Sequence, residues 1–440
     1  MKRCPECRRD YFDDTLLYCL DDGTSLLEGP ASSSESPTVA KISSESPTIK
    51  IHTTNGVVGE DRPKTSQKWP LMVLVSIILA GVAGFLVYSR QYYKPANTQN
   101  TSNVSSQSPN ELFLRGKLKA RSDDRDDVEE ALRSLEQVVA LDPNNAEAYA
   151  YLAQALTTKA FQFAPASEQK QISDNAELDV EKALTLNPDL AEGHYAQGII
   201  LWTHAKRFPH EQAIQSFKRA IALKPDLDQA HEHLGMIYLH IGLLNEAAME
   251  IKKAIEINPN NTMARFRSNS INTYLGKYED AMAILKTVPR DQSPALVDSR
   301  VAEVLVHLNR LEEANTIVDN YLKTYPQDEG GNVTSVKALI LAKCGKNEEA
   351  EAMIERAIEV GKGFGHFHHT AYNIASAYAI MNKPDEAMRW LQDAADDGFP
   401  NYPYFGIDHN LDNLRGDPRF VEFLSKGKIQ TEKFRTLASS

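Results

Sequence analysis

Three cysteines near the start of the chain have a spacing that suits metal binding. Two residues separate Cys4 from Cys7, and Cys19 follows after eleven more. A closed tetrahedral zinc site needs four ligands, and thiolates are among the ligands that zinc prefers. Asp22 lies where a second Cys-x-x-Cys pair would place its fourth cysteine, and Asp21 beside it is a rival ligand. We therefore predict a structural zinc ion bound by Cys4, Cys7, Cys19 and Asp22.

The segment that contains these cysteines, residues 1–28, resembles a short zinc ribbon. It is too short to bury enough apolar surface to fold unaided, so the metal would supply the folding free energy. One alternative is a redox Cys-x-x-Cys pair, although no thioredoxin-like strand and helix pattern surrounds it. Another is a disordered tail without metal. Reduced thiols suit the cytoplasm, which favours a cytoplasmic N-terminus.

A second group of possible metal ligands lies near the C-terminal end. His366, His368 and His369 fall within four residues of one another. Three imidazoles so close together could hold zinc or nickel. The segment leads into a predicted helix, however, and the sequence shows neither an acidic partner nor a fourth ligand. We therefore expect these histidines to pack within a loop or cap.

No motif in the sequence indicates catalysis. It contains no phosphate-binding glycine loop, no Gly-x-Ser-x-Gly nucleophile elbow and no kinase-like pattern of strands and loops. We therefore predict that the protein is not an enzyme.

The elements that must position these residues follow a regular period from about residue 112 onward. In the clearest copy, small residues and a proline stand twelve, seven and five positions apart, at Gly235, Ala247, Ala254 and Pro259. Small side chains allow two helices to approach closely, and the proline ring ends the second helix. A period of about 33 to 37 residues of this kind predicts stacked helical hairpins.

The pattern resembles the tetratricopeptide repeat. Strings that turn and restart a helix read Gly-Leu-Leu-Asn-Glu-Ala at 242–247, Gly-Lys-Tyr-Glu-Asp-Ala at 276–281 and Gly-Lys-Asn-Glu-Glu-Ala at 345–350. Closing motifs such as Leu-Asp-Pro at 141–143 and Ile-Asn-Pro at 257–259 recur as well. The alternative is an irregular helical bundle.

This resemblance implies an all-α fold, with a right-handed superhelical solenoid of about eight helical hairpins over residues 110–399. Residues 400–440 look like the closing segment of bacterial tetratricopeptide regions, and we expect a C-terminal cap and tail there. Such arrays bind other protein chains, and aromatic residues in the groove would suit an extended or helical segment of a partner.

In a tetratricopeptide superhelix, the first helix of each hairpin lines the concave face. The resemblance therefore implies a partner-binding groove with a mixture of aromatic, histidine and acidic side chains. These are Tyr195, Trp202, Glu232, His240, Phe266, Tyr274, Glu303, His307 and Tyr372. The set of Lys, Arg and Asn residues with which some arrays capture a terminal carboxylate is not seen. For any one of these residues, the alternative role is packing between hairpins.

A long uncharged stretch precedes the repeats. Residues 71–88 contain no charged side chain, and as a helix they would extend roughly 27 Å, close to the ~30 Å apolar core of a bilayer. We predict a transmembrane helix at 69–90 that stays in the lipid bilayer as an anchor. A Ser/Thr/Pro-rich disordered linker precedes it at 29–68, and a polar tether follows it at 91–109.

Small residues recur every fourth position on one face of this predicted helix, at Ser76, Ala80 and Gly84. Such a face permits close packing of two helices, so the chain could form a homodimer through it.

The flanking charges and the cysteines together suggest a topology. Lysine and arginine are slightly more frequent before the apolar stretch than after it. With the reduced thiols, this predicts a single-pass protein of a bacterial inner membrane. Its N-terminus would be cytoplasmic, and its repeats would lie on the periplasmic side.

The charge of the chain narrows the class of partner. Its formal net charge is −12 at pH 7, which argues against nucleic acid because DNA and RNA need a basic surface. Our main hypothesis is a non-enzymatic, membrane-anchored scaffold that binds protein partners through the concave face. The alternative is a transmembrane sensor that passes binding on to a cytoplasmic partner of the zinc ribbon.

Overall fold

The computed structural model describes residues 108–439, except 123, 291–292, 329 and 362, together with three short strands near the N-terminus. Among the residues that it describes, no helix combines the length and the apolar character needed to cross a bilayer. The predicted membrane helix at 69–90 lies outside these residues, as do the linker at 29–68 and the four predicted zinc ligands. The membrane helix, the linker and the zinc site therefore remain predictions.

The three strands pair in an antiparallel sheet. β1 (Lys2–Arg3) is central, with β2 (Asp10–Tyr11) on one side and β3 (Leu27–Glu28) on the other. They belong to a unit, Met1–Thr98, that is separate from the unit Gln99–Ser440 that holds the repeats.

Within the described part of the second unit, eight helical hairpins follow one another, as the repeat spacing predicts. Each hairpin joins an odd-numbered helix to the even-numbered helix after it. The helices are α1 (Pro109–Lys119), α2 (Arg125–Leu141), α3 (Ala146–Gln162), α4 (Ala166–Leu186), α5 (Ala191–Leu201), α6 (His210–Leu223), α7 (Asp228–His240), α8 (Leu244–Ile257), α9 (Thr262–Tyr274), α10 (Tyr278–Leu285), α11 (Pro294–His307), α12 (Leu311–Thr324), α13 (Asn332–Lys343), α14 (Asn347–Gly361), α15 (Phe367–Ile380) and α16 (Pro384–Asp396).

In five of the hairpins, the turn contains one residue in the left-handed backbone region. In three hairpins Gly242, Gly276 and Gly345 supply it, with φ between 71° and 77°. These are the glycines that open the turn-and-restart strings in the sequence. In two other hairpins Asn309 and Asn382 take the same position, with φ of 56° and 57°. Asparagine tolerates this conformation better than most residues, so the turn keeps its shape without glycine.

The small residues of the repeat lie where two helices meet. Ala247 and Ala254 in α8 are fully buried. Gly235 in α7 faces them, and a Cβ atom there would approach the Cγ1 atom of Ile251 to 2.7 Å. A bulkier side chain at Gly235 would therefore force the hairpin apart, which explains the small-residue spacing.

The chain after the last hairpin forms a C-terminal segment, residues 399–439. It contains α17 (Tyr402–Ile407), a 3₁₀ helix (His409–Leu414) and α18 (Pro418–Ser439). The 3₁₀ helix packs on α15 of the last hairpin, the position expected of a cap. The segment also reaches much earlier repeats: the Asn401 side-chain amide donates to the Leu239 carbonyl at 2.9 Å, and Lys218 donates to the Ala438 carbonyl at 3.0 Å.

The first two hairpins also contact hairpins much later in the chain. Arg121, after α1, pairs with Asp228 at the start of α7 at 2.6 Å. The Phe161 ring at the end of α3 packs edge-on against His366, with 4.8 Å between ring centres. Repeats far apart in sequence thus meet around a common concave face.

Candidate functional site

A cavity of about 790 Å³ opens on the concave face. Its walls come mainly from the first helices of the second to sixth hairpins, α3, α5, α7, α9 and α11. Partly exposed apolar residues at its surface include Met263, Leu296 and Phe161, and polar residues such as Gln229 and Asn261 alternate with them. This volume is within the range of sites that take small molecules or peptide side chains. We call this cavity the open groove.

Eight of the nine residues predicted for the groove divide into two sets of four. Four of them line the open groove: Tyr195, Trp202, Glu232 and Phe266. Four others surround a second, much smaller pocket deeper in the concave face: Tyr274, Glu303, His307 and Tyr372. The ninth, His240, is buried at the end of α7 among other histidines.

The C-terminal segment covers the second set. The Tyr404 hydroxyl lies 3.3 Å from Nε2 of His307, and the Tyr404 ring lies 4.7 Å from that of Tyr274. The Tyr372 hydroxyl donates to the Asp408 carboxylate at 2.5 Å. A partner could reach these residues only after displacing the chain's own segment, so the accessible part of the concave face is the open groove.

A buried ion pair forms part of the groove wall. Glu232 on α7 is 3% exposed, pairs with Arg267 on α9, and approaches Nδ1 of His233 to 2.7 Å. Burial by itself would raise the pKa of Glu232, but the positive charges of Arg267 and His233 outweigh it and hold the pKa at about 2. Glu232 is therefore ionised at neutral pH, and its pair holds α7 and α9 together.

A polar cluster at one rim joins three hairpins. The Asp228 carboxylate accepts hydrogen bonds from the side-chain amides of Asn258 and Asn261, at 2.8 Å and 3.1 Å, and pairs with Arg121. Both arginines that line the groove among the described residues, Arg121 and Arg267, are thus engaged in ion pairs.

A histidine cluster adjoins the open groove. His240, His366, His368 and His369 each bring one ring nitrogen within 4.8 Å of the other three. The sequence pointed to three of them and showed no fourth ligand, because His240 is 129 residues away from His369 along the chain. No local signal links His240 to this cluster, since the period of the repeats assigns it only to a first helix.

Comparison with known proteins supports the interpretation of the repeats. Two tetratricopeptide repeat family models match the chain, one at residues 123–164 and one at residues 228–261. The chain is 32% identical over 96 residues to Superkiller complex protein 3 of Mus musculus. The matched residues make up 21% of this chain and 6% of that protein. It is 24% identical over 238 residues to a Tetratricopeptide repeat protein 30 homolog of Drosophila melanogaster. This match covers 53% of this chain and 34% of that protein.

A third relative is Anaphase-promoting complex subunit 3 of Schizosaccharomyces pombe, 26% identical over 151 residues, with 34% of this chain and 22% of that protein covered. The chain therefore spans about a third or less of the length of these curated relatives. Similar solved structures include a tetratricopeptide repeat protein of Parabacteroides merdae, with 15% identity and a TM-score of 0.41. The match covers 63% of this chain and 98% of that one. Yeast Tom70 is another, with 16% identity to this chain and a TM-score of 0.39. That match covers 83% of this chain and 75% of Tom70.

Proposed function

Because this chain contains tetratricopeptide repeats, we propose that it is a non-enzymatic scaffold that binds a protein partner in the open groove. The observation that carries the proposal is the open groove itself, with about 790 Å³ of space beside partly exposed apolar side chains. Apolar patches rimmed by polar groups are typical of surfaces that bind a peptide segment. Two of the relatives are named as members of protein complexes, which agrees with this class of function.

The open groove also suggests the chemistry of the bound segment. Its two arginines are committed to Asp228 and Glu232, so they offer little to a terminal carboxylate. Met263 and Leu296 offer apolar contact on neighbouring first helices, α9 and α11. We therefore infer that the partner contributes an internal segment with apolar anchor residues rather than a free C-terminus.

A charge placed in the groove should weaken this binding. We expect Met263→Glu to weaken binding of groove-specific peptides by tenfold or more, which corresponds to about 1.4 kcal/mol, because a carboxylate would lose solvation against an apolar anchor. The measurement is selection of a displayed peptide library on the full chain, followed by affinity titration of the enriched sequences.

The matched control is Met249→Glu. Met249 is 66% exposed on α8 and does not line the groove, so this variant should bind the selected peptides like the wild type. If no sequence family is enriched on the wild type, or if both variants bind the enriched peptides equally well, the open groove is not the binding site.

We further propose that the scaffold is anchored in a membrane through residues 71–88, with zinc bound near a cytoplasmic N-terminus. The support is the uncharged stretch and the cysteine spacing of the sequence. Reporter domains that are active only outside the cytoplasm should give a signal when fused after Ala96 and after Ser440. A cytoplasmic signal from either fusion would overturn this topology.

A further inference from the structure

Four imidazole rings converge beside the open groove, from two distant parts of the chain. His240 comes from the last turn of α7. His366 lies just before α15, and His368 and His369 lie in its first turn. One ring nitrogen of each lies within 4.8 Å of those of the other three. His240 and His368 are buried, whereas His366 and His369 reach the groove.

The hydrogen bonds of His240 orient it as a metal ligand is usually oriented. Its Nδ1 lies 2.7 Å from the Met236 carbonyl oxygen. A carbonyl can only accept, so Nδ1 carries the proton and donates, and a neutral ring then has its lone pair on Nε2. Metal-binding histidines commonly donate their second ring nitrogen to a backbone carbonyl in this way. The Nε2 lone pair of His240 points into the cluster and accepts a hydrogen bond from Nε2 of His369 at 3.2 Å.

Two of the other histidines, His366 and His368, have ring nitrogens that the protein leaves unpaired. His368 is fully buried, yet neither of its nitrogens makes a hydrogen bond of good geometry, and the same holds for Nδ1 of His366. Asp397 lies near enough to favour the charged form of the His368 ring, but neither ring nitrogen makes a hydrogen bond of good geometry to it. Buried polar atoms normally have partners, so unpaired nitrogens that face one another require a physical reason.

We propose that His240, His366, His368 and His369 bind one divalent transition-metal ion of the zinc class. Imidazole nitrogen suits Zn²⁺, Ni²⁺ and Cu²⁺, whereas Ca²⁺ and Mg²⁺ prefer oxygen. Tetrahedral zinc with Zn–N bonds of about 2.0–2.1 Å places its ligand nitrogens about 3.3 Å apart. The present separations of up to 4.8 Å need only small rotations of the rings to reach this geometry.

The surroundings of the cluster set its character. No carboxylate is among the four ligands, and the nearby Glu232 is already paired with Arg267, so the bound ion would keep its positive charge. Because no negative ligand offsets this charge, we expect the affinity of the site for the ion to be moderate. Four protein ligands fill a tetrahedral site, which would make it structural rather than catalytic. The ion would join α7 of the fourth hairpin to α15 of the eighth and brace the concave face.

The test is metal binding by the full chain with all four cysteines changed to serine, so that thiolates cannot contribute. We expect this protein to bind one equivalent of Co²⁺, with the visible absorption of a tetrahedral nitrogen site, and Zn²⁺ should displace the Co²⁺. Bound Zn²⁺ should also raise the thermal midpoint, because it binds only the folded state. Absence of one-to-one binding would overturn the proposal.

Three single variants in this cysteine-free chain locate the site. His240→Gln and His366→Gln should each lower the Zn²⁺ affinity about a hundredfold or more. Even the loss of a residue that only hydrogen-bonds to a metal ligand costs about 10- to 100-fold. His366 is partly exposed to the groove, so its variant should fold, and circular dichroism without metal checks this. The control is His409→Gln, whose side chain is 78% exposed and far from the cluster in the sequence.

The control should bind Zn²⁺ like the parent. Equal affinity in all three variants, or an equal loss in all three, would show that the ion does not bind at the cluster. The outcome is independent of the proposed scaffold function, since the metal titration uses no peptide and the peptide selection can be made with a chelator present.

Discussion

Replacing Phe405 with alanine should lower the free energy of unfolding by about 3–5 kcal/mol, the usual cost of removing a fully buried phenylalanine. Phe405 lies on α17 and is fully buried. Its ring stacks on Tyr372 with 5.1 Å between ring centres and contacts Phe399 at 5.5 Å and Phe423 at 6.1 Å. The loss would leave a cavity between the C-terminal segment and the last hairpin. Chemical denaturation followed by circular dichroism measures it.

The matched control is Ile407→Ala, two residues later on the same short helix. Ile407 is 46% exposed, so its loss should cost less than about 1 kcal/mol. In Phe405→Ala, amide hydrogen exchange should also accelerate in residues 399–439, because these residues lose their anchor. If the two variants are equally stable, the C-terminal segment does not pack on the concave face as described.

This prediction bears on function because the same contacts fill part of the concave face. With the segment in place, Tyr274, His307 and Tyr372 contact Tyr404 or Asp408 rather than solvent. A variant that loosens the segment should therefore expose a second binding surface. The open groove, which is lined mainly by the second to sixth hairpins, should keep its peptide binding in Phe405→Ala.

Arg267→Met should also destabilise the fold by about 3–5 kcal/mol, because it leaves the Glu232 carboxylate buried without its main partner. The Glu232 side chain is only 3% exposed and that of Arg267 only 12%. The control is Arg265→Met on the same helix, at an exposed position. We expect that variant to stay within about 1 kcal/mol of the wild type. Equal losses in the two variants would show that the buried pair contributes nothing specific.

The pH dependence of this variant gives an independent measurement. The pKa of Glu232 is about 2 in the folded state, below its ordinary value of 4.5. A lowered carboxyl pKa stabilises the fold above pH 4.5, and this stabilisation, about 3 kcal/mol, is lost as the pH falls towards 2. The stability difference between wild type and Arg267→Met should therefore shrink below pH 4.5. A difference that stays constant from pH 7 to pH 3 would contradict this account.

The local sequence was sufficient to predict the hairpins. The positions of small residues, such as Gly235 and Ala247, follow from the contact between two neighbouring helices, and the turn glycines follow from a left-handed backbone. The rule that first helices line the concave face predicts Tyr195 and Phe266 there, and both residues line the open groove. These features depend on residues less than about forty positions apart, so the period of the repeat contains them.

The accessible surface and the histidine cluster depend on contacts between distant repeats. His240 looks like any other first-helix residue until the curvature of eight hairpins brings it against His366, His368 and His369. In the same way, only the folded chain shows that the C-terminal segment returns to α7 and covers the deeper part of the concave face. In a solenoid each hairpin adds a small rotation to the one before it. The sum of these rotations over hundreds of residues, rather than any local pattern, decides which distant side chains meet.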